Sequence, residues 1–340
     1  MTRLSKYFLL ILSISFLSCG DDDSESKILG TPLEIQIPEG FPEMQIPSDN
    51  PTTVEGVALG RKLFYDPILS SDSTIACASC HLQGFSFSDR NRFSFGVGGQ
   101  VFGGRNSPNL VNAGWGNEFF WDGRAFSLEN QALGPVINPK EMQETWENVA
   151  EKLKSHSAYP ELFKEVFGDS EIDSTLVTKA IAQFERTFIS ANSKYDKVLR
   201  GEEQFSASEE SGKALFEANC SGCHSGILFT DNAFHNNGID SVLADLGRKE
   251  VTGKDEDLGK FKTPSLRNVE FSWPYLHDGR FNSLEEVLAN YAKGGLNSQT
   301  VDSRISGINL NETEQADIIV FLKTLTDEEF INNENLKSPF

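Results

Sequence analysis

Methionine is nearly absent from this chain of 340 residues: Met1, Met44 and Met142 are the three, and none lies in the second half. Histidine and cysteine are scarce as well, with five of each. Lys and Arg number 30 against 50 Asp and Glu, a formal charge of −20. That deficit speaks against a nucleic-acid partner, whose phosphates are held by clustered cations. No apolar run is long enough to cross a membrane, since Tyr7 to Leu17 falls short of the roughly 20 residues a spanning helix needs. Strand-like alternation is rare. What is plentiful is phenylalanine, 26 residues, which can cover a large apolar group.

Arg3 and Lys6 precede the apolar run and small residues follow it, the order of a secretory signal. The ending "FLSC" has the form of a lipoprotein box, so residues 1–18 read as the signal peptide and Cys19 as the lipidated residue. An ordinary signal followed by a stray cysteine is the alternative. Residues 19–50, starting with the acidic "GDDDSESK", read as a tether and N-terminal extension. The protein is then expected to be exported and lipid-anchored in the periplasm or at the outer membrane or cell surface, touching membrane only through the lipid. Without Arg3 and Lys6, 28 basic residues face 50 acidic ones, a charge of −22. Such a surface can steer a small basic electron donor, and it equally serves solubility.

The rest of the chain repeats itself. "CASCH" at 77–81 recurs as "CSGCH" at 220–224, preceded by "GRKLF" at 60–64 and "GKALF" at 212–216. "RNSPNLVN" at 105–112 is echoed by "KTPSLRNV" at 262–269, and "WDGRAFSLEN" at 121–130 by "HDGRFNSLEE" at 277–286. Four elements in the same order argue for two related halves, divided near "LRGEEQFSAS" into 51–203 and 204–340. Helical spacing at Leu176, Val177, Ala180, Ile181, Phe184 and Phe188, and again at Ile318, Ile319, Leu322 and Leu325, predicts a mainly α fold. Capping boxes are expected at Ser206 with Glu209, Ser283 with Glu286 and Asn311 with Glu314. The loops at 94–117 and 225–264 are long enough to wrap a ligand.

C-x-x-C-H is the attachment pattern of a c-type haem: two thioethers anchor the porphyrin and the next histidine ligates iron. Cys77, Cys80 and His81 would hold one haem c, and Cys220, Cys223 and His224 a second. A redox dithiol or half of a zinc site is the alternative for each pair. The histidine following at once in both copies, the export signal and the repeat favour haem. The opposite axial position separates catalysis from plain electron transfer. The second half contains no methionine to fill it, and His156, His235 and His277 read as hydrogen-bonding or surface residues. After His81 the chain offers no His, Met, Tyr or Lys through Gly104, so the first haem is expected to keep an open face.

From about Gly56 to Leu325 the chain resembles the bacterial di-haem cytochrome c peroxidases and their MauG-type relatives. The resemblance is carried by "LGRKLFYDPILS", both haem motifs, "GGRNSPNLVNA", "FFWDGRAFSLENQALGPV", "NPKEM", "KTPSLRNV" and "YLHDGRF". It implies two cytochrome c-like domains with long loops between helices: an N-terminal peroxidatic domain and a C-terminal electron-transfer domain, each with one covalently attached haem c. It further implies that Trp121 lies between the haems, that Gln131 and Glu141 belong to the peroxide pocket, and that Asn106, with Ser272 and Pro274, binds a calcium ion. Ser272 stands where the family has a threonine. Many classical members carry a capping histidine where this chain has Val97, which implies a first haem that is five-coordinate or water-bound. Tyr291 stands at the classical methionine ligand of the second haem, as in MauG-type proteins; a core aromatic is its alternative reading. The implied substrate is hydrogen peroxide, and the implied donor a small redox protein such as a cytochrome c or cupredoxin. A homodimer stays open. A MauG-like oxidase of a protein or aromatic substrate and a non-catalytic electron carrier are the competing readings.

Overall fold

The computed structural model describes residues 29–101 and 103–340; the signal peptide and Cys19 lie outside them. The chain runs α1 (Val54–Tyr65), α2 (Cys77–Cys80), α3 (Leu128–Ile137), α4 (Trp146–Ser155), α5 (Tyr159–Phe167), α6 (Ser174–Glu185), α7 (Lys194–Leu199), α8 (Ala207–Asn219), β1 (Phe234–His235), α9 (Lys249–Thr252), β2 (Phe261–Lys262), α10 (Leu284–Tyr291), α11 (Glu312–Lys323) and α12 (Glu328–Asn332). The architecture is mainly helical, with β1 and β2 as one short antiparallel pair. Helix starts follow from side chains that satisfy the first free N–H groups. Reciprocal capping boxes form at Ser206 with Glu209 and at Asn311 with Glu314. At α10, Ser283 accepts from Glu286 N as expected, but the Glu286 carboxylate takes the N–H of Asn282 instead of that of the cap, at 2.7 Å. A further box, Ser193 with Asp196, opens α7.

Two apolar cores result. The first gathers Leu63, Phe64, Phe87, Phe184 and Phe188, and the second Phe216, Phe229, Phe321 and Leu325. Their aromatics correspond: Phe64 meets Phe184 edge-on at 5.6 Å, and its repeat partner Phe216 meets Phe321 at 5.2 Å. The chain end returns to the first core, where Phe330 and Leu336 are buried and the Tyr65 hydroxyl donates to the Leu336 carbonyl at 2.6 Å. Between the cores lies an ion pair with no exposure on its cation: Arg267 donates to both carboxylate oxygens of Asp196 at 2.9 Å and to the Ile227 carbonyl at 2.7 Å. Such a pair is tolerable in an apolar setting because its hydrogen-bonding groups are matched.

Glycine sets the helix crossing in each half. A methyl group at Gly60 on α1 would lie 1.9 Å from the carbonyl oxygen of Ala180 on α6, and one at Gly212 on α8 would lie 1.9 Å from that of Asp317 on α11. The shared "G-x-x-L-F" element is therefore a packing signature: glycine lets two helices meet backbone to backbone and the phenylalanine four residues on fills the core beneath. Gly212→Ala is expected to lower stability by about 1–3 kcal/mol through overpacking, seen as a lower thermal midpoint with both haems still attached. An unchanged midpoint would show that α8 and α11 can part at no cost.

Candidate functional site

In both halves one histidine is fixed in the same way. The Nδ1 of His81 lies 2.8 Å from the carbonyl oxygen of Phe87, and that of His224 lies 3.1 Å from the carbonyl of Phe229. A carbonyl can only accept, so Nδ1 donates and Nε2 keeps its lone pair. Both phenylalanines adopt left-handed backbone, φ 57° and 52°, which turns the carbonyl toward the ring. Burial pushes both imidazoles toward their neutral form, the form that ligates metal. Cys77, Cys80, Cys220 and Cys223 form no disulfide.

Each constellation lines a cavity. His81 borders a cleft of about 610 Å³, with a smaller chamber of about 70 Å³ behind it that also takes in Cys77 and Cys80. Cys220, Cys223 and His224 line a second cavity of about 430 Å³. A pair of unpaired thiols, an imidazole with one committed nitrogen and an apolar hollow of this size are what a c-type haem requires, so the residues fit two such groups.

The sequence-predicted residues distribute as follows. Gln131 and Glu141 line both spaces beside His81. Gln131 sits on α3, and Pro135 one turn later has no N–H to give to the Gln131 carbonyl. Glu141 is folded back by the turn of "NPKEM": Asn138 Oδ1 accepts from Lys140 N at 3.0 Å, and Asn138 Nδ2 donates to Glu141 Oε1 at 2.8 Å. Burial raises the Glu141 pKa, opposed by the Asn138 hydrogen bond and the Arg124 charge. Val97 lines neither space; its N–H donates to the Glu141 carbonyl at 2.9 Å, and Gly96 beside it packs directly on the Lys140 carbonyl. Among the described residues no histidine except His81 borders this cavity; Met142, packed into the first core, also lines the small chamber.

Trp121 belongs to the wall common to both large cavities. Its indole N–H donates to the Asn106 carbonyl at 2.7 Å and its own carbonyl accepts from Lys262 N at 2.8 Å. Asn106, Ser272 and Pro274 line the second cavity together. Asn106 gives its side-chain NH₂ to the carbonyls of Asn91 and Arg92 at 2.9 and 3.3 Å, and among the described residues its Oδ1 has no donor. Arg124 and Arg280 bond Asp122 and Asp278, and Arg280 adds Asp240. His235 lies between Asp231 at 2.8 Å and Asp302 at 3.0 Å; His277 is stacked on Phe261 at 3.6 Å; His156 accepts from Ala158 N at 3.1 Å.

The repeat permits an internal comparison. Ser127 and Ser283 are the N-caps of α3 and α10. Four residues on, Gln131 in the first cavity corresponds to Val287 in the second; eight residues on, Pro135 corresponds to Tyr291. Proline offers no side-chain donor where the second half offers a phenol. Tyr291 is half-buried, its pKa is pushed up to about 12 by desolvation, and its hydroxyl oxygen accepts from Asn237 Nδ2 at 3.3 Å.

Sequence reading missed two residues. Lys262 borders both large cavities; burial brings its pKa down to about 8, and its ammonium donates to Asn232 Oδ1 at 2.5 Å. Glu185, 3% exposed, lines the small chamber beside Cys77, and its Oε2 is buried with no hydrogen-bond partner. The signal was in the repeat: "FERT" at 184–187 aligns with "FLKT" at 321–324, so a carboxyl stands where the second cavity has Leu322.

A family model for di-haem cytochrome c peroxidase matches residues 54–204, and one for cytochrome c matches residues 209–326. The chain is 38% identical to a methylamine utilization protein MauG of Methylorubrum extorquens, over 90% of this chain and 87% of that one. It is 36% identical to a cytochrome c551 peroxidase of Nitrosomonas europaea, over 85% of each. Among solved structures, a MauG-like protein associated with microbial copper homeostasis superposes with a TM-score of 0.85 at 32% identity, covering 90% of this chain and 99% of that one.

Glu185 generates a pH prediction. Burial is the main cause that pushes its pKa up to about 8, with Arg186 opposing and Glu129 adding. Between the unfolded value near ~4.3 and about 8, the folded chain holds a proton that the unfolded chain releases, so stability falls as pH rises, by up to about 1.4 kcal/mol per pH unit from this group. Glu185→Gln should flatten that decline in thermal midpoint between about pH 5 and pH 8. Parallel curves for the two proteins would mean that the carboxyl ionises freely in the fold.

Proposed function

The chain belongs to the di-haem cytochrome c peroxidase and MauG family, and from that membership we propose that it reduces hydrogen peroxide to water in the cavity beside His81, with electrons that a small redox protein delivers through the C-terminal half. It is an oxidoreductase of the peroxidase type with two haem c groups. Cys77, Cys80 and His81 would hold the first and Cys220, Cys223 and His224 the second. When bound, the first supplies an iron that takes peroxide oxygen and the second a relay of charge.

The observation that carries the reading is the lining of the first cavity. Pro135 stands where the second half has Tyr291, and Gln131 and Glu141 face the same space. Cleaving the O–O bond to water requires a proton moved from the inner to the outer oxygen. Glu141 is suited to this: burial lets it hold a proton to higher pH than a solvated carboxyl, while the Asn138 bond fixes one of its oxygens. Gln131 has no titratable proton and serves to orient peroxide through its amide. Trp121 would pass electrons between the two sites, a role supported by its seat in the common wall with its indole anchored on Asn106.

A second reading, peroxide-dependent oxidation of a protein or small aromatic substrate, is favoured by one observation, the phenol of Tyr291 in the second cavity. Oxygen ligation there would favour ferric or higher-valent iron. Calcium is proposed at Asn106 Oδ1 with the backbone carbonyls of Ser272 and Pro274, hard oxygen donors of the kind that ion takes. The carbonyl-anchored Asn106 amide, with its oxygen left to the cavity, supports this.

Glu141→Gln should slow peroxide cleavage by roughly 10²–10⁴ in stopped-flow measurements if the carboxyl moves the proton; a wild-type rate would remove it from the mechanism. Treatment with a strong calcium chelator should lower electron transfer between the two sites and be reversed by added calcium. Unaltered transfer, together with no calcium in elemental analysis, would retire the calcium proposal.

A further inference from the structure

The phenol of Tyr291 presents a problem of its own. Its oxygen accepts from Asn237 Nδ2 at 3.3 Å, and among the described residues nothing accepts the proton of the hydroxyl. A hydroxyl proton with no acceptor in a half-buried place is unfavourable. A phenol oxygen held toward a cation needs a hydrogen-bond donor to fix its orientation.

Asn237 is held where it can be that donor. On one side of it, buried Asn236 donates to Ser298 Oγ at 3.0 Å and Thr300 Oγ1 at 2.9 Å, and its carbonyl accepts from Asp302 N at 2.9 Å. On the other side, the Gly238 carbonyl accepts from Leu296 N at 2.6 Å, and Gly238 adopts φ +67°. A methyl group at Gly238 would lie 2.9 Å from Val301 Cγ2, so the loop can reach the 296–302 segment only as glycine. That segment follows directly on the helix that ends with Tyr291. The loop and the strap after the tyrosine are thus one bonded unit, which fixes the separation of amide and phenol.

We propose that Asn237 is a positioning residue for Tyr291: its amide N–H holds the phenol oxygen toward the metal of the C-terminal haem and, by drawing charge from that oxygen, weakens its donation to ferric iron. The proposal rests on Tyr291 being that metal's ligand. Asn237 lies in the wall of the same cavity as Tyr291 and His224, and the first cavity has no counterpart of the pair, since Pro135 stands at the phenol's position. Outer hydrogen bonds of this kind set ligand orientation and the redox potential of a metal site.

The test uses the holoprotein and reads each haem by spectroelectrochemistry, with Asn237→Leu, Asn237→Gln and Tyr291→Phe compared to wild type. Asn237→Leu is expected to lower the reduction potential of the C-terminal haem and alter its ferric absorption, with the N-terminal haem unmoved; Asn237→Gln, which keeps the donor, should restore part of the shift. Tyr291→Phe that changes neither property overturns the ligand reading itself. If Tyr291→Phe changes both while Asn237→Leu leaves them as in wild type, the ligand stands and the role of Asn237 is refuted. Should the leucine variant fail to accumulate, Asn237→Ser, too short to reach the phenol, is read by the same criteria.

Discussion

The backbone of Asn106 is where the two halves of this protein are locked together. Its N–H donates to the carbonyl of His277 in the second half, and its carbonyl receives the indole of Trp121 in the first, both at 2.7 Å. The side-chain amide is committed to Asn91 and Arg92. With these bonds made, a single residue fixes part of the wall that the two large cavities share. The inward face of each cavity, the seat of Trp121 and the approach of Lys262 all follow from that wall.

Around it, one scaffold is used twice with different linings. Glycine crossings at Gly60 and Gly212, phenylalanine carbonyls under His81 and His224, and serine-capped helices α3 and α10 give each half the same geometry. Function enters through the few positions where the copies differ. Pro135 against Tyr291, Gln131 against Val287 and Glu185 against Leu322 give the first cavity an amide and a carboxyl where the second has apolar side chains, and give the second a phenol where the first has proline. The polar lining is held at a cost in stability: Glu185 Oε2 is desolvated with no partner, a penalty of about 1–3 kcal/mol that an apolar residue would avoid.

Electrostatics sort the buried groups by the same rule. The Asp196–Arg267 pair is matched and structural, whereas Glu141, Glu185 and Lys262 are shifted toward neutrality because burial outweighs their few partners. The two carboxyls both border the small chamber beside His81, and the ammonium borders the large cavities at the junction of the halves. Charge that can be gained or lost is thereby placed next to the redox centres.

Sequence alone determined what is local or repeated. The two C-x-x-C-H motifs, the order of four recurring elements, the helical stripes on α6 and α11 and most of the caps need only short-range chemistry and periodicity, so they could be read directly. Tertiary structure decided everything that depends on which distant groups share a space. Arg124 and Arg280 turned to Asp122 and Asp278, Trp121 found its acceptor 15 residues away in Asn106, Tyr291 met Asn237 across 54 positions, and a glutamate on a core-facing helical position came to border a redox site. The reason is physical: a backbone pattern is written in neighbouring residues, but the charge state and partner of a buried side chain are set by desolvation and by neighbours that only the folded chain brings near.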